Sequence, residues 1–182
     1  MLALLIQVVL LIVKSLAGFL CVLLLMRFYM QVFRVSFANR FGAFVVQLTN
    51  WLVIPLRRVL PSVRGLDLAS LVPAYLLQVL VVGLLVLAGG GMGVLAPELL
   101  VALVFWRGVL AVLRLSVYML IGTLLLQAVL SWVQPYGPLM RPLAQLTDPF
   151  LRPLRRLVPP IAGFDLTPLI AVLLAQIVLI FL

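Results

Sequence analysis

QLTDPFLRPLRRLVPP, residues 145–160, decides how the rest of the chain is read, because it occurs twice. Residues 47–61 read QLTNWLVIPLRRVLP, and a shift of 98 residues aligns the two copies without a gap from Gln47 to Val82. In that register Gln47, Leu48 and Thr49 match Gln145, Leu146 and Thr147, while Pro55, Leu56, Arg57 and Arg58 match Pro153, Leu154, Arg155 and Arg156. Pro61, Gly65, Asp67 and Leu68 match Pro159, Gly163, Asp165 and Leu166, and Gln78 matches Gln176. Identical polar, proline and glycine positions are hard to draw by chance from a chain dominated by leucine and valine. The sequence therefore reads as two copies of one unit.

What surrounds the two copies sets the class. Hydrophobic residues make up 66% of the 182 and charged residues 9%, against roughly half and a quarter in soluble chains. The apolar runs are also too long for one amphipathic face, which points to an integral membrane protein. The start, MLALLIQVVLLIV, has no basic n-region and no A-x-A-like cleavage site, so it is expected to be a retained first membrane segment.

Each copy runs from an apolar helix through a basic, proline-containing connector to a second apolar helix. The ranges are 2–33, 34–66 and 67–88 in the first copy, then 98–134, 135–164 and 165–182 in the second. The expected fold is an all-α membrane protein with about four transmembrane helices, each needing about 20 apolar residues. They form two parallel two-helix repeats, each with an interfacial connector: a first repeat over 1–88, a Gly-rich loop over 89–97 and a second repeat over 98–182. Segment 98–134 is too long for one untilted span. It is expected to begin as a protruding or interfacial helix over Glu98–Val112, with the span proper near Leu113–Val133.

Two spans per unit is an even number, so both units enter the membrane in the same sense and the connectors share one side. The connectors carry Arg34, Arg40, Arg57, Arg58 and Arg64 in one copy and Arg141, Arg152, Arg155 and Arg156 in the other. The opposite loop, AGGGMGVLAPE, has no Lys or Arg. The positive-inside rule then makes the connectors cytoplasmic and both termini extracytoplasmic.

The residue inventory argues against an enzyme. There is no histidine, and the single cysteine, Cys21, lies inside an apolar run. A Ser-His-Asp triad, a zinc site of the His or Cys type and a His-ligated haem are all excluded. The four acids, Asp67, Glu98, Asp148 and Asp165, are too scattered for a metal cluster, and no G-x-x-x-x-G-K loop is present. No cofactor is expected. The net charge of +9 flanks apolar segments, a pattern suited to anionic lipid rather than nucleic acid.

Within the second connector, Asp148-Pro149 has the form of a helix start, a carboxylate cap followed by proline at the first position. From there Phe150, Leu154, Leu157 and Val158 fall on one helical face, with Arg152, Arg155 and Arg156 on another. Pro153, like Pro55 in the first copy, should kink this interfacial helix. Two readings stay open: a topology-setting lipid anchor, or a docking site in which Arg57, Arg58, Arg152, Arg155 and Arg156 engage lipid and a partner.

Asp67 and Asp165 each stand at the entrance of an apolar helix. They are expected to cap it, with an ion pair to a nearby arginine; a proton or cation site is the alternative. Lys14, Arg107 and Arg114 interrupt apolar sequence, where ionisable groups are costly and often functional. They either snorkel to an interface or line a path. Gln78 and Gln176, at matched places in the second and fourth apolar segments, suit interhelical hydrogen bonds.

The repeated QLT-[DN]-x-x-x-x-P-L-R-R-x-x-P followed by G-x-D-L resembles the YggT family, also called YlmG, of small bacterial and plastid membrane proteins. SWV at 131–133, LTDPFLRPLRRLVPP at 146–160 and GFDLTP at 163–168 fit the family pattern. The first copy departs from it, with Asn50-Trp51 in place of Asp-Pro and Leu68-Ala69-Ser70 in place of L-[ST]-P. The resemblance implies a multi-pass bacterial inner-membrane protein with no established catalytic activity. It also implies association with osmotic and potassium stress, membrane organisation or cytochrome maturation. The expected function is accordingly a non-enzymatic scaffold, assembly or stress-tolerance factor whose connectors hold anionic lipid and an unidentified protein partner. The alternative is a small channel or transport component in osmotic or potassium homeostasis, with Lys14 and Arg114 along its path in a homo-oligomer.

Overall fold

The structure, a computed structural model, describes residues 1–60, 62, 65–89, 96–134, 136–158 and 165–182. Among these residues the regular structure is entirely helical. Helix α1 covers Leu2–Val32, α2 Arg40–Arg57, α3 Leu68–Ala88, α4 Pro97–Val133, α5 Met140–Leu157 and α6 Thr167–Phe181. Three of these, α1, α3 and α4, are long and apolar enough to cross a membrane. α6 is equally apolar but has 15 residues, about 22 Å of helix.

α4 is the spine of the molecule. It runs unbroken for 37 residues, about 55 Å, so Glu98–Val112 and Leu113–Val133 belong to one helix. No proline interrupts it after Pro97, and neighbours support it along its whole length. Against its first half lies α3. A Cβ at Gly108 would stand 2.5 Å from Val79 Cγ2, so the glycine is what allows these helices to approach so closely. Against its second half lies α6, where Leu124 shares a buried cluster with Ala171 and Val172.

α1 packs along α3 and supplies much of the core through Cys21, Leu24 and Leu25, which meet Val53, Ala69, Ala74 and Val112. Outward, the long helices carry large apolar side chains in the open: Leu4, Leu5, Val8, Val9, Leu11 and Ile12 on α1, and Phe105, Trp106 and Leu125 on α4. A hydrocarbon solvent accepts such a surface and water does not.

The connectors become helices α2 and α5, which pack against the long helices instead of standing apart. α2 buries Gly42, Val45, Thr49 and Val53, and α5 buries Pro142, Leu143, Leu146, Thr147 and Leu151. Both stripes follow the three- and four-residue spacing of a helix face.

Two expectations for α5 are corrected here. The helix begins at Met140, so Asp148 lies inside it and does not cap it. Packing of the 143–154 stripe carries the helix through Pro149 and Pro153. Both prolines are on the exposed side, where polar surroundings can satisfy the carbonyls they leave unbonded. The earlier start also rotates the face: Leu151 is fully buried, whereas Phe150 and Leu157 point outward.

Candidate functional site

The site is a pair of connector junctions, each built where a connector helix meets the membrane helices on either side. At the first, Asn39 starts α2 by accepting the Gly42 N–H at 2.7 Å through Oδ1. That turn is so tight that a Cβ at Gly42 would meet Phe37 Cα at 2.7 Å. Two turns on, Thr49 is fully buried and faces α1. Arg27 of α1 reaches it: Nη1 donates to Thr49 Oγ1 at 2.8 Å and to Asn50 Oδ1 at 3.0 Å. The Thr49 hydroxyl donates in turn to the Val45 carbonyl at 2.7 Å. Arg27 is 4% exposed and its Nε has no hydrogen-bond partner among the described residues. Sequence reading passed over this residue, whose partners lie more than twenty positions away.

At its far end α2 presents Arg57 to Asp67, just ahead of α3. Nη2 approaches Oδ2 at 2.8 Å and Nε approaches Oδ1 at 3.4 Å, while Nη2 also reaches Gln31 Oε1 at 3.3 Å. Ser70 Oγ donates to Asp67 Oδ2 at 2.7 Å. One guanidinium thus ties α1, α2 and the start of α3 together. Asp67 occupies the N-cap position of α3, but its carboxylate takes the Ser70 hydroxyl and Arg57 instead of a backbone N–H. Its side chain is 1% exposed. Burial pushes the carboxyl up, but hydrogen bonds from Arg57 and Ser70, with the charges of Arg57 and Arg27, outweigh it and hold Asp67 below the usual carboxylate range.

The second junction has the same parts. Thr147 is fully buried, and its Oγ1 lies within hydrogen-bond reach of Gln127 Oε1 from α4 and of the Leu143 carbonyl. Here Gln127 stands where Arg27 stands in the first, but it accepts from the threonine hydroxyl instead of donating to it. Arg155 pairs with Asp165 at 3.0 Å, again ten residues apart. The Asp165 Oδ1 accepts both the Thr167 N–H, at 3.0 Å, and the Thr167 hydroxyl, so this carboxylate does satisfy a backbone donor at the start of α6. Burial raises Asp165, while the Thr167 bonds and Arg155 lower it further, for a net depression. Asp148 sits on the same α5 surface, 3.5 Å from both Arg152 and Arg155.

The five basic candidates therefore divide. Arg57 and Arg155 pair with aspartates, the first with the buried Asp67 and the second with the exposed Asp165. Arg58 and Arg156 are exposed and, among the described residues, pair with no carboxylate. Arg152 holds Asp148 loosely at 3.5 Å and is 75% exposed. Of the apolar-segment candidates, Lys14, Arg107, Arg114 and Gln78 line one open groove between α1, α3 and α4. Gln176 points outward from α6, with no side-chain hydrogen bond among the described residues. Arg64, Gly163 and Pro159 lie outside the described residues.

A family model described as CCB3/YggT matches this chain over residues 6–88 and again over 106–182. The chain is 36% identical over 156 residues to the uncharacterised protein YggT of Escherichia coli, covering 85% of this chain and 78% of that one. It is 37% identical over 149 residues to an uncharacterised protein of Vibrio alginolyticus, covering 80% and 77%, and 36% identical over 170 residues to an uncharacterised protein of Pseudomonas aeruginosa, covering 92% and 84%. No solved structure gives a significant match. With its full arginine–aspartate junctions and this extent of similarity, the chain belongs to the CCB3/YggT family.

Proposed function

We propose that this is a non-catalytic, multi-pass inner-membrane protein of two like units, whose connector junctions hold a rigid platform of exposed arginines for anionic lipid and a protein partner. The observation that carries the reading is the division of each Arg-Arg pair. Arg57 and Arg155 are spent on aspartates within the fold, while Arg58 and Arg156 remain outward without a carboxylate. A guanidinium held beside a locked neighbour loses less freedom on meeting a phosphate than one on a mobile loop. The exposed Leu157, next to Arg156 in the chain, suits the acyl boundary.

The two-unit reading is supported by the matching Thr49 and Thr147 contacts and by the two ion pairs ten residues apart. With four spans, α6 closes the second unit and both connectors lie on the cytoplasmic side. Reporter fusions should then read as extracytoplasmic at residue 92 and cytoplasmic at residue 62.

Changing Arg58 and Arg156 together to Gln is expected to lower retention of phosphatidylglycerol in native mass spectra and crosslinking yield in cells, with thermal stability kept. Changing Arg57 and Arg155 to Gln is expected to lower thermal stability first. The reverse pattern sinks the proposal. A transport reading finds its one support in the groove that holds Lys14, Arg107 and Arg114.

A further inference from the structure

The groove between α1, α3 and α4 gathers three cations from two helices. Lys14 comes from α1, while Arg107 and Arg114 are seven residues apart on α4 and so share its face. Val81, Leu85, Leu103 and Leu110 form apolar walls, and the buried Gln78 lies among them. The groove encloses about 1030 Å³.

Its depth makes the charges significant. Gly108 packs on Val79, which stands near the middle of α3, so Arg107 is level with the middle of a span-length helix. Cations at such a level are retained where they face water, a counter-charge or each other's ligand.

Among the described residues no acidic side chain lines the groove. The chain has four acids, and all are accounted for elsewhere: Asp67 with Arg57, Asp148 and Asp165 with the α5 arginines, and Glu98 in the first turn of α4. Glu98 is two and a half turns before Arg107, about 14 Å along the axis. Arg114 donates one bond to the Leu182 main-chain oxygen, which leaves most of its five N–H donors unused. A cation in this groove would meet three like charges, whereas an anion would meet three donors.

We propose that the groove is an anion site for a phosphate-bearing group, with Lys14 and Arg107 as its principal ligands, Arg114 at its edge and Gln78 as a neutral donor. Its volume exceeds that of a bare phosphate many times over, and its apolar walls suit the acyl part of a phospholipid whose headgroup meets the cations. The connector arginines belong to another part of the fold, so this site does not depend on them.

The test uses the purified full chain, the Lys14→Gln/Arg107→Gln double variant, the charge-keeping Lys14→Arg/Arg107→Lys variant and the connector variant Arg58→Gln/Arg156→Gln. Each is offered phosphatidylglycerol, phosphatidylcholine or inorganic phosphate in detergent, and binding is read by native mass spectrometry and thermal shift. Loss of both charge-assisted contacts should weaken anion binding at least about tenfold, while the charge-keeping variant binds like wild type.

Preference for phosphatidylglycerol over phosphatidylcholine, lowered in the double variant and kept in the charge-keeping variant, assigns the site to lipid, and a separate drop in the connector variant belongs to the connector arginines. A saturable phosphate response without lipid preference, lost in the same variant, assigns it to a free anion. Equal anion binding in wild type and double variant, or none in wild type, overturns the proposal. A loss confined to the connector variant overturns it as well and leaves the connector reading standing. If the double variant does not fold, the proposal is judged on wild type and the charge-keeping variant, where absence of any anion preference overturns it.

Discussion

Replacing Asp67 and Asp165 in turn by Asn separates what burial does to two ion pairs of the same design. Both substitutions keep the shape and remove the charge. Asp67 is 1% exposed and faces an Arg57 that is 46% exposed; Asp165 is 41% exposed and faces an Arg155 that is 42% exposed. A hydrogen bond to a charged group contributes about 1.5–3 kcal/mol when its partner is buried, and the half-open Arg57 argues for the lower part, about 2 kcal/mol. An exposed pair contributes about 0.2–1 kcal/mol, so Asp165→Asn should cost no more than about 1 kcal/mol. In a chain of this size 1 kcal/mol moves Tm by about 2–4 °C. The expected shifts are thus about 4–8 °C for Asp67→Asn and up to about 4 °C for Asp165→Asn, read by intrinsic fluorescence in detergent. Equal shifts, or a larger one for Asp165, would refute the view that burial sets the value of these pairs.

The same aspartates predict an acid limb. Their folded pKa values are depressed, so their stabilisation is full above the unfolded value of about 3.9 and is lost as pH falls through the folded value. Tm measured down a pH series should fall below about pH 4 in wild type, and less steeply in Asp67→Asn. Thr49→Val removes an acceptor from the buried Arg27 and should cost about 1.5–3 kcal/mol. Thr147→Val breaks a contact to the neutral Gln127 and should cost about 1 kcal/mol, so chemical denaturation should rank the first above the second. Gly108→Ala forces a methyl toward the stiff Val79 and should lower stability by about 1–3 kcal/mol through overpacking, seen as a Tm loss that Val79→Ala in the same chain restores in part.

An ion pair at each aspartate was legible in the sequence because Asp67 and Asp165 open apolar segments just after an arginine-rich connector, though which arginine pairs is set by the fold. Arg27 was not, since its role depends on α2 folding back along α1, a tertiary fact that no local pattern carries. Asp148-Pro149 misled for the opposite reason. A local start signature was present, but burial of Leu143, Leu146 and Leu151 began the helix two turns earlier and continued it past both prolines. In α4 the length alone left one helix or two open, and the packing of α3 on its first half and α6 on its second supports a single one. The groove cations were each visible as interruptions of apolar sequence, but their convergence from α1 and α4 required the packing of Gly108 on Val79.

α4 has one more consequence, for the bilayer itself. Its roughly 55 Å of helix exceeds a hydrocarbon core of about 30 Å, and it is apolar at both ends: Leu99 and Trp106 are exposed near one, Trp132 and Val133 at the other. A tilt of about 40° still covers only some 39 Å of it. Set in a bilayer, the helix would meet the surplus by projecting past the hydrocarbon, by locally thickened lipid or by a second protein. Stability in bilayers of increasing acyl length is therefore expected to rise toward a thick optimum, and a flat response would refute this. On these terms membrane thickness is itself a quantity to which the chain responds.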